Sequence, residues 1–237
     1  MTDPLITPTA TTRATVKAST WEDVLDIFYA PREVFERRRD GRYLLPMLVL
    51  CVVTVVVFFL SQQMNEALQD AEFARVVREN NMAPEAAKSA REMGRKFGQL
   101  AIYFVPVLVA IGAWIGGLIL LAVGKMMGAM LTYAQAVTIA VLASMPEMLG
   151  RILVGVQSLF LDTSTAAHRY SYSISASRFV PGDANNWLLK LGALVDPFVI
   201  WGIVLTGVGA YVIGRMEKEK AAVLAIVTAL AGAALFR

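Results

Sequence analysis

The chain has 237 residues, of which 57% are hydrophobic and 17% are charged, and its net charge is +3. A soluble domain carries about 25% charged residues, so this composition and a mean hydropathy of +0.56 exclude a soluble globular protein and indicate a bilayer. The small, distributed charge gives no footprint for nucleic acid. Cys51 and His168 are single residues of their type, which excludes disulfide frameworks and cysteine-based or multi-histidine metal sites. No cofactor is expected.

The first 42 residues are polar and divide into two parts. Residues 1–18 lack periodicity and are predicted to be a flexible tail. Residues 19–42 are predicted to form amphipathic juxtamembrane helices, beginning with a capping-box spacing at Ser19 and Glu22. The apolar positions of the first helix recur at helical spacing: Trp21, Val24, Leu25 and Phe28. This helix lies either at the membrane interface or against another part of the protein.

Five apolar segments predict an all-α, polytopic integral membrane protein, because backbone polar groups in lipid must be paired within helices. The segments are residues 43–60, 100–124, 134–157, 195–213 and 221–236. About 20 helical residues cross a hydrocarbon core of about 30 Å, so four segments are long enough. The fifth reaches about 24 Å, with Arg237 snorkelling at its end. We therefore predict a five-helix transmembrane domain over residues 43–237.

The distribution of Lys and Arg predicts the orientation of these segments. An arginine-rich stretch precedes Tyr43 directly, which favours a cytoplasmic N-terminus and, with five spans, a C-terminus outside. The first apolar segment then acts as an uncleaved signal anchor in the cytoplasmic (inner) membrane. The loop 62–99 opposes this interpretation, because six basic residues lie in it: Arg75, Arg78, Lys88, Arg91, Arg95 and Lys96.

The two long loops differ in character. Residues 62–99 predict two helices, Gln63–Arg78 and one from Pro84 to about Phe97, separated by Asn80-Asn81. Residues 159–187 are rich in Ser and Tyr and are predicted to be irregular, with a short hairpin as the weaker alternative. "PGDANN" then predicts a turn.

Glu147 and Arg151 stand four residues apart in the third apolar segment, so they share one helix face. Ionisable residues inside a membrane segment are candidates for a functional site. The favoured alternative is structural: the two pair with each other, or Arg151 snorkels to the outer surface.

Asp196 immediately precedes Pro197 at the start of the fourth segment. Proline is favoured at the first position of a helix, and aspartate is among the best N-caps, so Asp196 is predicted to cap this helix. A proton or cation site is the weaker alternative. Trp201, one turn further on, is expected to pack or to anchor the helix at the interface. Small residues in the second and fourth segments are predicted to serve internal packing: Gly112, Gly116, Gly124, Gly128, Gly207, Gly209 and Gly214.

Four stretches resemble the YIP family, the Ypt/Rab-GTPase-interacting proteins, and in particular its bacterial-type members. They are "APREVFERRRDGRYLLP", "MAPEAAKSAREM", "TYAQAVTIAVLASMPEML" with its interior Pro146, and "DPFVIWGIVLTGVGAYVI". The resemblance implies a five-helix membrane fold with a cytoplasmic N-terminus and no enzymatic activity. Eukaryotic members act with Rab GTPases in membrane traffic, and some bacterial members are thought to assist assembly of an ABC-type exporter. Asp196, Phe198 and Trp201 carry over as signature residues.

Three functions are compatible with this sequence. The first is a non-enzymatic scaffold or accessory protein of a bacterial cytoplasmic membrane, with the bilayer, an ABC transporter and further copies of the chain as candidate partners. The second is a small transporter or channel that uses Glu147, Arg151 and Asp196. A lipid-modifying enzyme ranks third, because no nucleophile with an acid–base set is found. The first two differ in whether these three residues face one water-filled cavity.

Overall fold

The computed structural model describes residues 20–162, 166, 168, 170–181 and 184–236. The predicted flexible tail, Ser19 of the capping box and Arg237 lie outside these residues. The described part is helical, with one short 3-10 helix at Ala176–Phe179. The α-helices are α1 (Thr20–Asp26), α2 (Pro31–Arg37), α3 (Leu44–Leu60), α4 (Gln62–Glu79), α5 (Pro84–Met126), α6 (Tyr133–Ala143), α7 (Met145–Gln157), α8 (Asn186–Leu194), α9 (Pro197–Val212) and α10 (Lys218–Phe236).

A helix occupies each of the five predicted apolar segments. By length and composition, two stretches are sufficient to cross a membrane, Tyr103–Met126 and Tyr133–Gln157. Two bent helix pairs raise this number to four if each pair is one span: α3 with α4, bent by 75°, and Trp187–Leu194 with α9, bent by 59°. The all-α membrane fold is therefore confirmed at the level of two to four candidate spans, and the count of five stays a prediction.

The predicted end of a helix near Phe97 is wrong. Helix α5 begins at Pro84, as predicted, but continues without interruption to Met126 over 43 residues. Gly98 is the sole weak helix former at the predicted boundary, and one glycine costs only about 1 kcal/mol relative to alanine. Residues 84–102, which we call the projecting arm, are thus continuous with the helix of the second apolar segment.

The third apolar segment is not one continuous helix. It is divided at Ser144 into α6 and α7, and Pro146 stands in the first turn of α7. Proline has no backbone N–H and clashes with the preceding turn, so the chain begins a new helix there. The Ser144 hydroxyl donates to the Val141 carbonyl at 2.7 Å and satisfies one acceptor that the break frees. At the other end, Thr132 and Gln135 form a capping box that starts α6.

Helix α6 is the centre of the bundle. Its residues Ala136, Val137, Ile139, Val141 and Leu142 have no exposed surface, as expected for a helix that is apolar on all sides. Helices α5 and α9 contact α6, and glycines allow the closest approaches. A Cβ at Gly117 of α5 would lie 2.6 Å from the Val137 side chain and 2.8 Å from its Cα.

Two further glycines on α9 complete this packing. A Cβ at Gly202 would lie 2.8 Å from the Ala143 carbonyl oxygen, and one at Gly209 would lie 2.8 Å from Ile139. Gly112, by contrast, has nothing within 4 Å. The predicted packing role therefore holds for Gly209 but not for Gly112, although Gly112 belongs to a GxxxG pattern.

An ion-pair cluster joins α1 to the C-terminal end of α2 and the residue that follows it. Asp23 is 1% exposed and accepts from Arg37 Nε at 2.9 Å and from Arg38 Nε at 2.6 Å. Arg37 also reaches Asp26 at 2.6 Å, and the Tyr29 hydroxyl donates to the same carboxylate. The hydrogen bond from Tyr29, followed by that from Arg37, lowers the pKa of Asp26. Asp23, which lies on the face of α1 opposite its apolar positions, is therefore buried by its ion pairs.

The pair α1 and α2 packs on the bundle through apolar side chains. Ile27 and Phe35 are fully buried, and the Phe35 ring lies 3.1 Å from where a Cβ at Gly209 would stand. Trp21, Leu25 and Tyr29 remain 65–74% exposed. Packing is thus confirmed for one face of α1, and the predicted position at the membrane interface stays a prediction for the other.

The Ser- and Tyr-rich loop contains turns and the 3-10 helix, and its described part has no strand. Helix α8, which the sequence did not predict, packs on this 3-10 helix. The Ser177 hydroxyl donates to the Leu189 carbonyl at 2.7 Å, and a Cβ at Gly192 would lie 2.9 Å from the Ser177 nitrogen.

The glycine contact on α5 gives a matched pair of substitutions. Gly117→Ala is expected to lower the free energy of unfolding by about 1–3 kcal/mol, because the added methyl group overpacks against the backbone of Val137. Gly112→Ala, five residues away on the same helix, should leave it unchanged or raise it slightly through helix propensity. Thermal unfolding in detergent measures both variants, and equal midpoints would contradict the packing around α6.

Candidate functional site: a cavity between α3, α7 and α9

A cavity of about 510 Å³ lies where α3 ends and α9 begins, beside α7. Its apolar lining includes Val57, Phe58, Met64, Val154 and Phe198. The segment 170–175 covers part of it with Tyr170, Tyr172 and three further residues. We call this side of the bundle the cavity end.

All three ionisable residues singled out from the sequence line this one cavity: Glu147, Arg151 and Asp196. Glu147 and Asp196 are partly buried and Arg151 is exposed. Glu147 and Arg151 lie one turn apart on α7, as the sequence predicted. No salt bridge within 4.0 Å joins these two side chains among the described residues. Trp201 lies elsewhere, half-buried against the hydrophobic core.

Close contacts of α7 with its two neighbours position these groups. A Cβ at Gly150 would lie 2.8 Å from the Phe198 ring, so the start of α9 rests on α7 between Glu147 and Arg151. At the other end of α7, a Cβ at Gly155 would lie 3.1 Å from Val57. The Ser158 hydroxyl also lies 3.3 Å from the Leu60 carbonyl oxygen, within hydrogen-bond distance.

Asp196 caps α9 as predicted. Its Oδ1 accepts hydrogen bonds from the Phe198 nitrogen at 2.8 Å and from the Val199 nitrogen at 3.4 Å. Asp196 itself is extended, and Pro197 begins the helix. A carboxylate at this position also complements the positive end of the helix dipole. No described residue donates a hydrogen bond to Oδ2.

Two hydroxyl groups in the cavity were missed by the sequence analysis. Ser61, at the junction of α3 and α4, is 4% exposed, and its hydroxyl has no hydrogen-bond partner among the described residues. The same is true of the Thr54 hydroxyl. A buried hydroxyl without a partner is costly, by about 1–3 kcal/mol. In the sequence, the position of Ser61 directly after an apolar run was the one signal that could have identified it as a cavity residue.

The opposite end of the bundle, which we call the core end, is filled by apolar side chains. Met47 and Leu50 of α3, Leu120 of α5 and Leu205 of α9 pack there around α6. Asp23 and Thr138 are the buried polar side chains described at this end. Thr138 donates to the Ala134 carbonyl of its own helix at 2.8 Å, and Asp23 belongs to the α1 ion-pair cluster. The cavity is therefore closed toward the core end.

His168 has a structural role in the covering loop. It is 2% exposed, its Nε2 lies 2.9 Å from the Val180 carbonyl oxygen, and its Nδ1 accepts from the Tyr170 nitrogen at 3.1 Å. Tyr172 donates to the Asp162 carbonyl at 2.8 Å. Within the described ranges, no group of three or more His, Cys, Asp or Glu side chains is arranged to hold a metal ion.

Apolar helices packed around a buried central helix, with polar groups gathered at one end, define a multi-pass helical membrane protein. The Yip1 domain matches residues 25–236, nearly the whole chain, and the protein therefore belongs to the Yip1 domain family. This confirms the resemblance to the YIP family found in the sequence, whereas the bacterial type stays a prediction. No curated protein and no solved structure matches the chain.

Two substitutions of Asp196 separate capping from charge. Asp196→Ala is expected to lower the free energy of unfolding by about 0.5–2 kcal/mol, the usual range for a lost N-cap. Asp196→Asn should cost little, because an amide oxygen still accepts from Phe198 and Val199. Thermal unfolding in detergent compares the two variants, and equal losses in both would rule out a capping role.

Proposed function

We propose that this protein is a non-enzymatic scaffold or accessory protein of a bacterial cytoplasmic membrane. It assists assembly or regulation of a membrane transport complex, for which an ABC-type exporter is the leading candidate. In this proposal the bundle is anchored in the bilayer and the parts outside the apolar segments contact the partner. Further copies of the same chain are a second class of partner.

An apolar stripe on the projecting arm is the observation that carries this proposal. Met93, Phe97 and Leu100 recur at i, i+4 and i+7, so they lie on one face of α5, and they are 61%, 67% and 53% exposed. They precede the stretch from Tyr103 that is apolar enough to cross a membrane. Exposed apolar patches with polar rims mark protein contact surfaces.

The arm is held only lightly by the rest of the chain. The Arg91 guanidinium pairs with the Asp70 carboxylate of α4 at 2.7 Å, and both side chains are more than half exposed. Such an exposed ion pair contributes at most about 1 kcal/mol. A Cβ at Gly94 would meet nothing within 4 Å. This free surface supports docking of a partner on the arm.

Orientation is part of the proposal. Arginine residues cluster around α2 and before α3, which favours a cytoplasmic core end and places the cavity and the arm outside. A cysteine replacing Ser89, in a Cys51→Ala background, should then react with a membrane-impermeant reagent from outside intact cells. Reaction only after permeabilisation would reverse the orientation.

Co-purification tests the arm as a docking surface. The double variant Met93→Ser/Phe97→Ser should lower recovery of an ABC-type exporter from native membranes in mild detergent by about tenfold, since exposed apolar anchors dominate such contacts. Glu92→Ser/Lys96→Ser is the matched control, with the same spacing on the neighbouring face, and should recover the exporter like the unmodified chain. Equal recovery with both double variants, or no exporter with the unmodified chain, would contradict the proposal.

A transporter or channel is the second candidate, and one observation favours it: Glu147, Arg151 and Asp196 share a single cavity. Transport also needs a polar path through the other half of the bundle. That half is filled by apolar residues around α6, which weighs against this candidate. Ion flux through liposomes containing the pure protein, lost in Asp196→Asn, would favour transport over the accessory role.

A further inference from the structure

We propose that the cavity between α3, α7 and α9 binds the zwitterionic headgroup of a phospholipid. The headgroup phosphate lies at Arg151 and its ammonium group at the carboxylate of Asp196. This inference does not depend on the accessory role, because none of the residues that carry it belongs to the arm stripe. It also requires no conducting path.

Two unpartnered hydroxyl groups belong to side chains that line the cavity. Ser61 is nearly fully buried, yet its hydroxyl has no hydrogen-bond partner among the described residues, and Thr54 leaves a second such hydroxyl. Both side chains line the cavity. Buried polar groups without partners are rare in folded proteins, and a bound ligand is one of the few explanations for them. Both hydroxyl oxygens have almost no accessible surface in this conformation, so in the proposed complex the two side chains rotate to donate to phosphate or glycerol-ester oxygens.

The charges in the cavity match a ligand that carries both signs. Arg151 offers a fork of donors suited to phosphate, and no described carboxylate pairs with it in a salt bridge. Asp196 uses Oδ1 for the α9 cap, and its Oδ2 remains available for an ammonium group. Glu147 adds a second carboxylate to the lining. A purely anionic headgroup would meet the Asp196 carboxylate with no cation to offer it, whereas a zwitterion balances the guanidinium and this carboxylate together.

The position of the cavity favours a lipid over a soluble compound. It lies at the ends of apolar helices, where headgroups meet acyl chains. Apolar side chains that are direct sequence neighbours of its lining are exposed, namely Phe59 (57%), Leu153 (42%), Val195 (59%) and Ile200 (51%). An acyl chain that leaves the cavity would run over these side chains. The volume of about 510 Å³ lies within the range of small-molecule sites and suits a headgroup with its glycerol.

Lipid retention tests this inference directly. The full chain is reconstituted into vesicles of equal parts phosphatidylethanolamine and phosphatidylglycerol and extracted in mild detergent, and the retained lipids are identified by native mass spectrometry. We expect phosphatidylethanolamine to exceed phosphatidylglycerol several-fold on the unmodified protein. Asp196→Asn should abolish this preference, because the carboxylate that selects the ammonium group is lost, and Arg151→Gln should lower retention of both lipids about tenfold, the effect of losing one charge-assisted hydrogen bond. Ser61→Ala should reduce retention less.

Two controls keep the outcome clear. Glu92→Gln on the projecting arm should retain lipid like the unmodified chain, and unchanged thermal unfolding of Asp196→Asn, which keeps the helix cap, separates lost binding from lost folding. Free phosphoethanolamine, without acyl chains, should displace the lipid only weakly. Equal retention of the two lipids by the unmodified chain, unchanged retention in Arg151→Gln, an unchanged preference in Asp196→Asn, or full displacement by phosphoethanolamine would each overturn the proposal.

Discussion

The close approach of α5 and α9 to α6 is the constraint on which the rest of the structure depends. At Gly117 and Gly202 the neighbouring backbone occupies the place where a side chain would begin. Lipid offers no hydrophobic driving force between helices, so a membrane bundle is held by contact between small residues and by hydrogen bonds. Because α5 and α9 are fixed on α6 in this way, the start of α9 is brought onto α7, and the cavity follows from that arrangement.

The two ends of the bundle differ in their interior: apolar side chains fill one, and the other contains the cavity with its polar lining. Aliphatic side chains fill the core end, and α1 and α2 cover it. At the cavity end, the Asp196 carboxylate accepts hydrogen bonds from two backbone N–H groups and lies at the positive end of α9. Arg151 is exposed there and avoids the cost of a charge buried in low dielectric. This asymmetry favours a protein that binds at one end over a protein that conducts.

Local rules were sufficient to predict several elements from the sequence. Hydrophobicity located the apolar segments within a few residues, and the Asp196-Pro197 pair predicted both the start of α9 and its cap. Helix boundaries that depend on competition between helix-forming and helix-breaking residues were predicted less well. The helix α5 passes through Gly98 because no strong breaker stands there, and α6 ends at Ala143 because Pro146 cannot continue it.

The cavity itself could not be predicted, because residues 61, 147 and 196 meet only through tertiary packing. Gly112 belongs to a GxxxG pattern but has no neighbour within 4 Å. Gly117 has no such pattern toward its N-terminal side, yet it makes the close contact with α6. Motif spacing identifies small residues on one face but does not tell which face meets another helix. Ser61 was missed for the same reason: its burial depends on α7, which lies far away in the sequence.

Water accessibility along the bundle tests the central claim that the cavity opens at one end only. Single cysteines replace Ser173 in the cavity and Ile139 of α6 in a Cys51→Ala background, in sealed vesicles treated with a membrane-impermeant maleimide on either side. Ser173→Cys should react from the side of the α3–α4 junction only, and Ile139→Cys, at a fully buried position, from neither side. Glu219→Cys, at an exposed position at the core end, is the control for the opposite side. Reaction of Ile139→Cys from the core side, or of Ser173→Cys from both sides, would reveal a continuous aqueous path and contradict a closed cavity.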